Sequence, residues 1–521
     1  MTTGRLVARL SSIHFIENQM TFFFERKALH VSVICGLMVM PILAASPFAP
    51  PDFPLPAFPA RTWTVSQFGA PGMGLTNETP GIDRAIAECN ANGGGIVFFP
   101  PGKYLAASIH LKSNVELQLA PGAVIVGVPG GFEMPEPNPY SRYQDSGHSH
   151  FHNSLMWGEN ITNFAIIGGR IDGGSIVHGT PEPGNGDKLI TVVSGKGLLF
   201  RNITHNKGGH FVYLLNDCEN VTLDGVVIKE SRDAVDLMGC RDVQIHNCNF
   251  TGCGDDTIGV KSDYALGRKI NSENIYVWDS YFESGCNGLQ FGSETAGDFH
   301  NVNFWNIRIG RAMKAGIGIT SDDGGVIDGV NYSNIVIRGA ASPIFMLITD
   351  RLRSGDPHKK TGAIENVTID DVTVTGCEPG RQGPVYPCTI SGRPESFLHN
   401  VTLENIKIDY PGSGLGQKPG VVPPYPTDYS PRSMGPRPAA GFYIRHATGL
   451  TLKNVTFTFD QPVECPPIVA YEVDGLTLDN FDSPKSSDNT VVQLENVKNL
   501  TVENSPGLKD QESAVVTKGS E

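Results

Sequence analysis

The chain has 521 residues, 40% hydrophobic and 18% charged, so it is long enough to bury a large core and too apolar to be disordered. Its 60 glycines and 37 prolines against 4 tryptophans, with few helix-forming runs, exclude a coiled coil or helical bundle and point to one extended all-β unit. A formal charge of −14 argues against nucleic acid, because phosphate binding needs clustered Lys and Arg.

Arg26-Lys27 precede an apolar run, Ala28 to Ala45, that ends in small residues before Ser46-Pro47, the pattern of an export signal. Met20 offers a second start, which makes residues 1–19 an upstream extension. Secretion, extracellular or periplasmic, is expected, with no stable membrane association once the signal is removed. An uncleaved anchor is the alternative, disfavoured because the run is short for a full span. Residues 46–62 read as a Pro-rich linker. Nine cysteines lie outside the signal, an odd count that leaves at least one free thiol, and Cys377 and Cys388 are the pair expected to form a disulfide. No cluster has metal-ligand spacing, so no metal or cofactor is expected.

From residue 63 to 507 one repeat fills the chain: Asn or Gly, then apolar residues at every second position, a turn, and a second short alternation. Instances are NVELQL from Asn114, NFAIIGGRI from Asn163, GLLFRNITH from Gly197, NVTLDGVVI from Asn220, DVQIHNCNF from Asp242, NIYVWDSYF from Asn274 and NVNFWNIRI from Asn301, continuing to NLTVENSPG from Asn499. The middle copies start 34, 23, 22, 32, 27 and 28 residues apart, too irregular for a leucine-rich or propeller repeat but natural for coils with variable loops. Stacked at about 4.8 Å, such units form parallel sheets and one continuous core, which predicts a right-handed parallel β-helix. The Asn-x-Thr/Ser sequences at Asn160, Asn202, Asn220, Asn366, Asn400 and Asn454 fall where the repeat begins; turn amides bonded to the neighbouring coil are favoured over glycosylation.

Between Trp63 and Leu119, a helix with Ile82, Ala85, Ile86 and Cys89 on one face is expected to cap the open end of the first coil. This segment resembles the opening of secreted pectinases.

Equal offsets from the start of each copy bring residues over one another. Asp233 lies 13 residues after Asn220, Asp255 and Asp256 lie 13 and 14 after Asp242, and Asn287 lies 13 after Asn274, so three carboxylates should meet on one face. Clustered acids raise one another's pKa, so one holds a proton while others stay ionised, as glycosidic hydrolysis requires. One acid protonates the leaving oxygen and another carboxylate activates water; a separation of about 6.5–9.5 Å would leave room for that water and predicts inversion.

SRDAVDL (231–237), CGDDTIGVKS (253–262) and CNGLQFGSE (286–294) resemble the successive motifs of glycoside hydrolase family 28, the polygalacturonases and rhamnogalacturonan hydrolases. The resemblance implies that Asp255 is the general acid and that Asp233 and Asp256 position and deprotonate the water. It also implies a substrate-binding set of Asn287, Lys261, Arg268, Lys269, Glu294 and Lys314, with Arg268, Lys269 and Glu294 matching an exo-acting branch. Two departures stand out. Asn287 occupies the place of the family's His, next to Cys286 in place of Gly, and Gly318 and Thr320 occupy the places of the Arg and Lys that grip galacturonate. Lys314 and Arg311 lie nearby, although a solvated rim position is favoured for each. A neutral sugar such as rhamnose at the cleavage subsite is as compatible as galacturonate.

For Asp322 and Asp323 a turn role is favoured over substrate binding. Residues 411–440 form a Pro/Gly-rich insertion, a surface loop long enough to fold along the groove as a wall. Tyr264, Phe299 and Tyr425 are candidates for stacking on sugars, with packing favoured for each. Residues 508–521 read as a polar, frayed tail. The expected partner is a polysaccharide or oligosaccharide substrate, and the chain is expected to act as a monomer. Two rivals to hydrolysis are a non-catalytic carbohydrate-binding β-helix and a polysaccharide lyase, which would need Ca²⁺ and an Arg or Lys base.

Overall fold

The computed structural model describes residues 48, 50–145, 147–174, 176, 186–381 and 383–520, all within one compact unit, Phe48–Glu521. The export-signal reading of residues 1–45 falls outside the described residues. Among those described, no helix is long and apolar enough to cross a membrane.

The chain winds as a right-handed β-helix of parallel strands, and the spacing of the repeat sets the register. Phe164 pairs with Leu198, Leu198 with Val221, Val221 with Val243, Val243 with Ile275, Ile275 with Val302 and Val302 with Val330, reproducing the spacing between copies. The ladder continues through Val367, Val401, Leu450, Leu476 and Leu500. Each of these side chains is buried, stacked on its counterpart in the next coil. Burying one such residue stabilises by about 1.5–3 kcal/mol, but only when the neighbouring coil covers it, which is why no single repeat is a folding unit.

Asparagine turns the corners. Asn274, Asn301, Asn366, Asn400 and Asn454 all have φ between 51° and 55°, a left-handed conformation that Asn tolerates better than most residues. Their amides form a ladder outside the core: Asn301 donates to Asn274 Oδ1 at 2.8 Å, Asn400 to Asn366 Oδ1 at 3.1 Å and Asn454 to Asn405 Oδ1 at 3.0 Å. Replacing Asn301 with Ala should cost about 2 kcal/mol, through the left-handed backbone and the lost bonds to Asn274 and Tyr276. A shifted urea midpoint would register the loss, and an unchanged midpoint would refute the ladder's role.

Both ends are closed. The helix Thr79–Ala91 buries Ile82, Ala85, Ile86 and Cys89 over the first coil. At the other end the sequence misleads. Residues 511–520 form a strand antiparallel to Val492–Glu503, with Leu508 and Val516 packed on the core. The polar composition of that tail reflects its exposed outer face, while the last coil needed an apolar lid. The Pro-rich segment is likewise no free linker. The Ala57 N–H and C=O pair with the Asn163 side chain, the Pro54 carbonyl accepts from Asn220 Nδ2 at 2.7 Å, and Phe53 packs on Tyr276. Prolines cannot continue a ladder, but an extended Pro-rich strap can lie along one. The expected Cys377–Cys388 disulfide is absent: both thiols are free and buried.

Candidate active site

Four adjacent strands, Asp233–Met238, Ile258–Ser262, Leu289–Thr295 and Ile317–Ser321, lie side by side in one sheet, with Val235, Ile258, Leu289 and Ile317 paired in sequence. This register puts the residues that lead into the strands in two columns. One holds Asp233, Asp256, Asn287 and Ala315; the other holds Arg232, Asp255, Cys286 and Lys314. Equal offsets had placed Asp233 over Asp255, which is wrong by one residue. Ser231 pairs with Cys253, 22 positions on, whereas Val235 pairs with Ile258, 23 positions on, so the Gly-Asp-Asp turn carries an extra residue. The turn also separates the two acids by environment. Asp233 and Asp256 are buried at 1% and 4% exposure, while the Asp255 side chain keeps 27%.

Burial pushes the Asp233 carboxyl well above the ordinary range, reinforced by Asp236 and Asp255 and opposed by Arg232. Burial and the Asp255 charge push Asp256 up to about 6, with Lys261 and Lys314 opposing. Asp236 goes the other way: burial would raise it, but Lys261 and His148 hold it below the usual value. The cluster therefore keeps a proton near neutral pH while part of it stays ionised. Asn287 Nδ2 donates to Asp256 Oδ1 at 2.7 Å, and its backbone N–H lies 3.3 Å from the same oxygen. The Cys286 thiol lies within 4.8 Å of Asp255 and Asp256 oxygens, and burial holds it protonated. Arg232 bridges the columns, 3.2 Å from Asp255 Oδ2 and 3.8 Å from Asp233 Oδ1.

Lys261 does not face the cleft. It is 3% exposed, and its ammonium lies 3.0 Å from Asp236 Oδ1, 3.6 Å from Asp233 Oδ2 and 3.3 Å from His148 Nε2. It is buried against the Asp233 and Asp236 carboxylates rather than offered to a ligand. His148, Asp233 and Asp236 each place a donor atom within 4.8 Å of the others, as a cation site would, and the Lys261 ammonium supplies the positive charge there. Glu294 is also sequestered, 1% exposed, bonded to Arg353 at 2.9 Å and lying 3.7 Å from His148 Nδ1.

The remaining expected cations are neutralised or covered. Arg268 pairs with Asp217 at 2.7 Å and Lys269 with Asp356 at 2.7 Å, so neither offers a free charge. Arg311 pairs with Glu378. Lys314 is no rim charge: it is 4% exposed, its Nζ 3.3 Å from the centre of the Tyr429 ring, which the 411–440 insertion brings in. Over Gly318, where the family resemblance leads one to expect Arg, the Gln290 side chain takes the space; a Cβ there would meet Gln290 Oε1 at 2.1 Å. Asp322 and Asp323 are buried anchors rather than ligands, bonded to Thr320 and Thr349 and to Arg351. Phe299 is core, Tyr264 packs on Tyr140 and Tyr143, and Tyr425 packs on Arg445.

Sequence reasoning missed Arg232, Asp236, His148, Arg353 and Tyr429. Arg232 and Asp236 stand inside SRDAVDL, and the column rule that found Asp233 would have found Arg232. His148 comes from a loop outside the repeat, so no periodicity marks it.

Fold and site together define a parallel β-helix with a cluster of carboxylates on one sheet face. The chain belongs to glycosyl hydrolases family 28, whose profile matches residues 139–419, more than half of its length. A second profile, rhamnogalacturonase A/epimerase, pectate lyase-like, matches residues 63–190. A probable polygalacturonase from Vitis vinifera is 26% identical over 286 residues, covering 50% of this chain and 58% of that one. The matches span 53–58% of the length of the first curated relatives. Among solved structures, the family 28 exopolygalacturonase of Yersinia enterocolitica superposes with a TM-score of 0.59 at 19% identity, covering 81% of this chain and 79% of that one. The polygalacturonase of Erwinia carotovora ssp. carotovora gives 0.53 at 22% identity, covering 71% and 98%. Both share the fold.

Proposed function

We propose that the chain is a secreted, inverting glycoside hydrolase that acts from the ends of pectic glycans. The observation that carries this reading is the pair of columns: buried, protonatable Asp233 and Asp256 beside the one carboxylate, Asp255, that reaches the cleft. Asp255 is the general acid. Asp256, within 4.8 Å of it, is the neighbouring store of protons. Asp233 is the base that orients and deprotonates water once ionised, a state that Arg232 and Lys261 favour and burial opposes, with Asp256 assisting.

Asp255 and Asp256 oxygens lie closer than the about 6.5–9.5 Å needed for water between an acid and its base, so the partner assigned across the water is Asp233, one coil away. A neutral sugar is assigned to the cleavage subsite, because Gly318 and Thr320 bring no cation and Tyr429 covers Lys314. Action from chain ends is supported by the 411–440 insertion. Its Met434 and Ala439 pack on Ala315, Phe345 and Leu347, laying the loop over the sheet face on the C-terminal side of the carboxylates. Asn287 in place of a proton-relaying His favours one other reading, a carbohydrate-binding protein without turnover.

The test is incubation with homogalacturonan, rhamnogalacturonan, xylogalacturonan and aryl rhamnosides, following reducing ends, unsaturated products and the anomer first released by proton NMR. Reducing ends without unsaturation and with inverted configuration are expected. A retained anomer would overturn the assignment of Asp233 and make Asp256 a nucleophile. Unsaturated products would mean elimination, and binding without turnover would establish the second reading.

A further inference from the structure

The outward-facing column that begins at Asp236 runs on through Gly259, Gln290, Gly318, Phe345 and Thr389 to Tyr443, Val469 and Gln493. A parallel column ends in Ser391, Arg445, Tyr471 and Glu495. The catalytic face therefore continues toward the C-terminal end, and the 411–440 insertion divides it. On the far side of that loop lies a groove of about 430 Å³ between the loop and the sheet, lined by Tyr425, Tyr443, Arg445, Tyr471, Gln493 and Glu495 among others. Five strand steps at about 4.8 Å place Tyr443 roughly 24 Å from the Asp256 strand.

The groove has walls that hold their shape. Arg445 donates to the Pro423 and Pro424 carbonyls at 2.7 and 2.8 Å and stacks 4.0 Å from the Tyr425 ring, whose hydroxyl meets His446 Nε2 at 2.6 Å. Its surface offers the rings of Tyr425 and Tyr471 and the side chains of Gln493 and Glu495. Tyr425 is 41% exposed and Val422 at the rim 84%. Gln493 and Glu495 are half-buried on its floor, Glu495 in register with Lys518 of the last strand, which also lines the groove. Rings that offer apolar faces, next to an amide and a carboxylate that can bond hydroxyls, match the alternating CH faces and hydroxyl edges of a pyranose chain.

We propose that this groove is a second carbohydrate-binding site, which holds a stretch of the same pectic glycan remote from the end at the carboxylates. It rests on the reading of the cleft as a glycan site. Anchoring a polymer there turns capture of its end into a local event and raises its effective concentration at the cleft without adding a catalytic contact. The insertion is then a partition between two sites on one face.

The test uses the full chain carrying Asp255→Asn to suppress turnover, titrated with polygalacturonan, rhamnogalacturonan and, as a control, dextran. Tyr471→Ala and, separately, Gln493→Ala should weaken binding of the responding pectic polymer about fivefold to tenfold and leave dextran unaffected. In the chain with Asp255 intact, Tyr471→Ala should leave turnover of a disaccharide, too short to span the gap, unchanged while lowering kcat/KM on polymer. Polymer binding equal in parent and both variants, or undetectable in the parent, overturns the groove whatever the turnover. Weaker binding in the variants with no turnover by the parent would uphold the groove and sink the hydrolase reading.

Discussion

Replacing Asp255 with Asn is expected to cut kcat by about 10²–10⁴ on the responding glycan, with the unfolding midpoint unchanged and substrate affinity within a few-fold of the parent. Three observations separate this outcome from a folding defect. Asp255 is the one acid of its cluster with appreciable exposure, Asn fills the same volume, and the Arg232 guanidinium that faces it also faces Asp233. The parent's pH profile carries the same logic. Asp256 is raised to about 6, so its proton is present below that value and lost as pH rises through it. The kcat of the parent should therefore fall on the alkaline side above about pH 6. An alkaline limb that stays flat to pH 8, or an Asn variant with near-parental turnover, would remove the proton from the mechanism.

Lys261→Met should be the most damaging single change to stability, about 3–5 kcal/mol at pH 7, because it strands Asp233 and Asp236 side by side at 1% and 0% exposure. The pH dependence distinguishes this cause from a packing defect. In the parent, Asp236 titrates below its unfolded value; its contribution is present above about pH 4 and is lost as pH falls through the lowered folded value. Asp233 already binds its proton more tightly folded than unfolded in the parent; without the ammonium Asp236 joins it, so the variant loses more stability than the parent as pH rises past about 4. The gap between parent and variant should thus be wide at pH 7 and narrow at pH 4.5 in urea titrations. An equal gap at both values would assign the loss to packing of the methionine rather than to the lost charge.

Much of this protein is legible as a string. A period-two pattern with Asn or Gly at fixed places dictates strand, turn and coil, because only stacked neighbours bury one another's apolar side and only a few residues accept the left-handed corner. The register of Val221 on Val243 and of Ile275 on Val302 follows from counting. Asp233, Asp255, Asp256 and Asn287 were reached the same way, and the count failed by one where the Gly-Asp-Asp turn holds an extra residue that offsets cannot see.

What counting could not reach lies in the loops and in burial. His148 enters from a loop with no period of its own, Tyr429 from an insertion whose composition says only that it is not a strand, and residues 511–520 cover the last coil although their sequence is polar. Nor could charge along the chain distinguish Lys261 and Lys314, both sealed inside, from Arg268 and Lys269, both paired near the surface. The sequence determined the stack and the carboxylates it carries, since those depend on neighbours at fixed separation. Which charges face a ligand was decided by tertiary structure alone, because desolvation and pairing are properties of whatever distant segment closes over each group.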